Sequence, residues 1–169
     1  MSNFKLPKKL RSKVGQEMSL AFESSESLSE FNNKLSQYSD EEMSEYVNDL
    51  KNVVGSIPDE DFLQMSFMSM LFFPEDKWYN MINEVYEGEF GTTEGVTKKI
   101  IDVSVSSMLS SGMKNHRDTL LKVLRTDPSL LIGGIVHEMK SMIDNEEYEL
   151  IHHGYEFIEK TRQEMINAQ

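Results

Sequence analysis

The chain has 169 residues, no cysteine, 17 Lys and Arg against 29 Asp and Glu, and a formal net charge of −12 at pH 7. That length fits one domain, and the missing cysteine excludes a disulfide framework, a thiolate zinc site and a cysteine nucleophile. No run reaches the roughly 20 apolar residues of a membrane span, and no apolar segment follows the N-terminal basic residues as in a secretory leader, so a soluble, cytoplasmic protein is expected.

The charge is unevenly placed. Residues 1–15 contain Lys5, Lys8, Lys9, Arg11 and Lys13 and no acid, which marks a basic N-terminal arm ahead of a single acidic helical domain, 16–169. Setting these five aside leaves 12 basic and 29 acidic side chains in the rest, a local charge of −17. Such a body works against direct nucleic-acid binding, because phosphate contacts need cations on the protein. The arm is suited to an anionic partner, to membrane phosphates or to the acidic body itself, although termini are commonly loose and solvated.

After the arm, Val14 to Phe22 and Leu28 to Tyr38 carry short helical apolar patterns separated by SSESLS. Ser39 with Glu42 forms a capping-box pattern ahead of Met43, Tyr46, Val47, Leu50, Val53 and Val54, and Gly55 sits where a left-handed C-cap is expected. The stretch PDEDFLQMSFMSMLFFP between Pro58 and Pro74 follows. Its apolar residues cover every side of a helical wheel, the pattern of a buried helix. Residues 59–73 are therefore expected to form a central buried helix, and Phe67→Ala to cost about 3–5 kcal/mol.

Trp78, Met81, Ile82, Val85 and Tyr86 give a further helix, which GEFGTT breaks at Gly88 and Gly91. GVTKKIIDVSVSSML is ambiguous: Ile101, Val103 and Val105 alternate as in a strand, while Val96, Ile100, Val103 and Ser107 fit a helix face. Its length and the lack of a strand partner favour helix, ended by Ser111 and Gly112. His116 to Leu124 predicts a short helix. Asp127 and Pro128 then open a helix with the stripe Leu131, Ile132, Ile135, Val136, Met139 and Met142. A last helix from about Glu146 to Asn167 places Tyr148, Ile151, Tyr155, Ile158 and Met165 on one face. Its final two helices resemble the helical hairpins of stacked-helix proteins, but no fixed-period repeat runs through the chain. The expected fold is an all-α, compact bundle of about seven to nine helices.

Chemical motifs are sparse. His137 and Glu138 begin a HExxH pattern whose second His is replaced by Ser141, and Glu149 with His152 has the Glu-x-x-His spacing of di-iron bundles without a second such pair. His152 and His153 point about 100° apart on a helix, and His116 stands alone. A metal-dependent helical enzyme built from His137, Glu138, Glu149 and His152 is thus the weakest reading. Ordinary surface histidines are the simpler one, with no cofactor, metal or catalytic residue assigned.

No GxxxxGK[ST], strand-borne GxGxxG or GxSxG is present. Gly133 and Gly134 fit close helix packing, and acid pairs such as Asp59 with Asp61 or Glu146 with Glu147 fit caps and solvated faces. Glu159 also reads as solvated, so Glu159→Ala is expected to shift stability by no more than about 0.5 kcal/mol. The 12 methionines suit an irregular core and equally an adaptable groove for an amphipathic helix. The low-cysteine, Met-, Asn-, Lys- and Glu-rich composition is similar to that of small proteins of virulent bacteriophages. These features favour a non-enzymatic protein-binding module, such as an assembly chaperone, an adaptor or a viral accessory factor acting on a protein partner. The alternative is an acidic nucleic-acid mimic that inhibits a DNA- or RNA-binding protein.

Overall fold

A computed structural model describes residues 13–168. Among them are nine helices and no strand: Lys13–Glu23 (α1), Leu28–Leu35 (α2), Asp40–Gly55 (α3), Asp59–Leu71 (α4), Asp76–Phe90 (α5), Lys98–Asn115 (α6), Arg117–Thr126 (α7), Ser129–Asp144 (α8) and Tyr148–Asn167 (α9). Residues 1–12 of the expected basic arm lie outside the described part, and Lys13, Val14 and Gly15 belong to α1.

The helix at the centre is α6, not the 59–73 stretch. Six consecutive residues of α6, from Ile100 to Val105, are buried, as is Leu109. It packs most extensively on α8 and α9 and also touches α4, α5 and α7. Burial on every side explains why its sequence fitted a strand alternation and a helix face alike. Two of the six are polar: Ser104, whose hydroxyl reaches Met142 Sδ at 3.6 Å, and Asp102, which is paired across the bundle. Polar residues lowered the apparent hydropathy of α6, while Met and Phe raised that of α4.

Local signals placed most helix starts. Ser39 and Glu42 form the expected reciprocal capping box on α3, and Thr97 Oγ1 accepts from the Ile100 amide to open α6. Glycine signals were less reliable. Gly55 is helical and Ser56 caps α3; Gly88 lies inside α5, which ends at Gly91 with φ 77°. Helix α6 runs through Gly112 to Asn115; a Cβ at Gly112 would sit 3.1 Å from Leu120 Cδ2, and its absence lets α7 approach. Gly134 meets the Met108 side chain in the same way, whereas nothing lies near Gly133. At the last turn Glu146 adopts φ 52°, a left-handed conformation that delays α9 to Tyr148. Tyr148, expected on the buried face, is 60% exposed.

One continuous core joins buried residues from α4 to α9, with Val54 and Ile57 packed partly against it. Buried Met18 and Ala21 of α1 stand outside that cluster. The α1–α3 layer is fastened by polar clasps: Lys77 Nζ donates to Phe22 O at 3.1 Å and Glu23 O at 3.0 Å. Asn80 Nδ2 donates to Glu26 O, and Glu84 Oε2 accepts from the Ser29 amide and hydroxyl.

Candidate functional site

The apolar helix α4 is incompletely covered. Only Phe62, Leu63 and Leu71 of its 13 residues are buried, while every residue from Met65 to Met70 is half-exposed. Phe67 is among them, packed partly on the core and against the ring of Phe72. Beside the helix, Leu63, Gln64, Phe67 and Met68 combine with Glu60 and with Met113 of α6 to line an open hollow of about 290 Å³. The methionines therefore divide: Met18, Met81, Met139 and Met142 fill the interior, and Met65, Met68, Met70 and Met113 face or border solvent.

Arginines hold α4 at both ends. At its start, Arg125 of α7 donates to Val54 O, to Ile57 O at 2.6 Å and to Asp59 Oδ1 at 2.8 Å, with its guanidinium 4.4 Å from the centre of the Phe62 ring. Arg117 pairs with Glu60. At its end, Arg162 of α9 donates Nε (3.0 Å) and Nη2 (2.6 Å) to Leu71 O, one of the carbonyls a helix C-terminus leaves unpaired. Nη1 of the same group donates to Asp102 Oδ2 at 2.8 Å and to Glu159 Oε1 at 2.7 Å. Tyr79 Oη donates to the other Asp102 oxygen at 2.8 Å.

Burial pushes the Tyr79 hydroxyl well up, and its bond to Asp102 adds to that shift. For Arg162, burial acts downward but the hydrogen bonds to Asp102 and Glu159 outweigh it, so the group is raised above its ordinary value. Both Asp102 oxygens and all three guanidinium nitrogens have partners, which makes this network a clamp between helices. Its signal was present in the sequence: Asp102 interrupts the apolar run IIDVSV, and Arg162 continues the stripe Ile151, Tyr155, Ile158.

The clamp floors a second open cleft, of about 480 Å³, between Phe72, Phe73, Pro74 and Glu75 on one side and Glu159, Arg162, Gln163 and Ile166 on the other. Two carboxylates, Asp102 and Glu159, surround the single guanidinium. The charged groups that line the cleft itself are Glu75, Glu159 and Arg162.

The four residues considered for a metal enzyme are not brought together. His137 Nε2 lies 2.5 Å from Glu89 Oε1 on α5, and Glu138 accepts from Ser107 of α6 at 3.2 Å. Glu149 is exposed, and His152 and His153 both turn to Glu156, at 3.3 Å and 3.7 Å. Among the described residues, no group of three or more His, Asp or Glu is placed to hold a metal ion, and no helix is long and apolar enough to cross a membrane. Comparison of the chain with protein-family models, with curated proteins and with solved structures gives no match.

Proposed function

We propose that this chain is a non-enzymatic protein-binding module that receives an amphipathic helix of a protein partner along α4. The observation that supports it is the run Met65–Met70, half-exposed throughout in a helix whose composition belongs in a core. Uncovered apolar surface of this kind marks interaction sites. Methionine side chains adapt to the shape of the helix they receive, and the hollow bordered by Phe67, Met68 and Met113 gives an anchoring side chain a place to enter.

A photo-crosslinking amino acid at Gln64, beside the hollow, tests this in a native lysate, compared with the same chain carrying Met68→Glu. The expected result is one stoichiometric protein adduct that Met68→Glu abolishes while the denaturation midpoint stays near that of the parent. An adduct unaffected by Met68→Glu would overturn the assignment to α4. Absence of any adduct, together with turnover of a small substrate, would overturn the binding-module reading itself.

A further inference from the structure

The chain holds 12 methionines and no cysteine, so methionine is its only source of sulfur. A two-electron oxidant that reaches the protein meets no thiol, and access to the thioether decides which side chain reacts. Met18, Met81, Met139 and Met142 are buried. Met68 from α4 and Met113 from α6 instead line the open hollow of about 290 Å³, Met68 half-exposed and Met113 38% exposed. We propose that these two methionines form a reversible oxidation site whose sulfoxides switch off helix binding at α4. This rests on the reading of α4 as the surface that receives a partner helix.

The oxidant is a peroxide. The thioether sulfur attacks one peroxide oxygen, the O–O bond breaks as the S–O bond forms, and the other oxygen leaves as water; sulfur gives up the two electrons. A sulfoxide reductase reverses the change, taking the oxygen off as water while a dithiol becomes a disulfide. The added oxygen is a hydrogen-bond acceptor on what had been an apolar side chain. In the free protein the hollow is open and water meets that oxygen, so the fold is kept. Beneath a docked helix the same oxygen lies against an apolar anchor with its water expelled. An unpaired polar group in that position should weaken binding by about tenfold or more for each sulfoxide. Half-buried Met43, Met65, Met70, Met108 and Met165 lie outside the hollow's lining, so their oxidation adds no oxygen at the anchor.

The test uses the full-length chain with the photo-crosslinking amino acid at Gln64. It is treated with hydrogen peroxide, freed of peroxide with catalase, and crosslinked in a native lysate dialysed free of reductant. Peptide mass spectrometry should find the added oxygen on Met68 and Met113 before Met18, Met139 or Met142. The untreated chain should give the stoichiometric adduct, and the oxidised chain should lose most of it at an unchanged denaturation midpoint. Methionine sulfoxide reductases of both stereospecificities, supplied with dithiothreitol, should restore it. A chain with Met68→Leu and Met113→Leu keeps the apolar volume of the hollow and should form the adduct both before and after peroxide. Sparing of Met68 and Met113, a full adduct once both are oxidised, or a loss that persists in the leucine variant would each overturn the proposal. So would a lowered midpoint in the oxidised chain, which would place the damage in the fold. No adduct from the untreated chain would overturn the reading of α4 itself, and the proposal with it.

Discussion

Arg162 and Asp102 meet at 2.8 Å with side chains only 10% and 3% exposed, joining α9 to α6 while the same guanidinium caps α4. Removing one member leaves the other charged and buried. Asp102→Ala should therefore cost about 3–5 kcal/mol. Combining it with Arg162→Met should cost less than the two single changes added together, with a coupling of about 0.5–3 kcal/mol. Urea denaturation of the four proteins in the cycle measures it. Additive losses would show that the two groups stabilise the fold independently.

The half-exposure of α4 changes what its substitution should do. Phe67→Ala is expected to cost roughly half the 3–5 kcal/mol of a fully buried Phe, while Ile101→Ala in α6, with Ile101 only 1% exposed, belongs in the upper part of the 2–5 kcal/mol range. Glu159, read from the sequence as solvated, bonds Arg162 at 2.7 Å. Its replacement by Ala should cost about 1 kcal/mol rather than nothing. Denaturation midpoints of the three variants give the order Ile101, Phe67, Glu159. Equal losses at Ile101 and Phe67 would return α4 to the centre of the core.

Two helical glycines should respond oppositely to alanine. Gly133 has open space where a Cβ would go, so Gly133→Ala should stabilise by about 0.5–1 kcal/mol through helix propensity. At Gly154 the new methyl would stand 3.2 Å and 3.3 Å from the two γ-carbons of Val103. Val103 is buried and β-branched, hence unable to turn aside, and Gly154→Ala should lower the melting temperature. Thermal unfolding of both variants provides the check.

Tyr79 makes stability depend on alkaline pH. Its hydroxyl is raised by burial and by Asp102, so the unfolded chain releases this proton first, near pH 10. The corresponding stability is fully present below about pH 10 and is lost as pH rises toward the folded-state value. Tyr79→Phe should flatten part of that decline, with Tyr46 and Tyr155, both raised by burial, retaining their shares. Denaturation as a function of pH distinguishes the two proteins, and parallel curves above pH 10 would exclude a role for this phenol.

Much of the bundle was legible before the structure because helix starts depend on neighbours in sequence, as Ser39 with Glu42 shows. Centrality depends on neighbours in space. The hydropathy of Met65–Met70 pointed to α4, yet α6 has helices on all sides and tolerates Asp102 and Ser104 because Tyr79, Arg162 and Met142 meet them. Glycine had the same ambiguity: Gly91 ends a helix, whereas Gly112 lies within one to admit Leu120. His137 and Glu138 are adjacent in sequence but turn to different helices, a divergence that no local spacing encodes.

Lys77, Asn80 and Glu84 project from α5 onto α1, the turn after it and α2, and together with Arg125, which bonds Val54 O of α3, they hold the first three helices to a core that draws no fully buried residue from them. The first three helices are therefore expected to be the weaker of two cooperative units. Sub-global opening can release α1–α3 while α4–α9 stay folded, so their amides should exchange with solvent well before those of α6 and α8. An apparently all-or-none melt would then conceal a native ensemble whose N-terminal third continually detaches and returns.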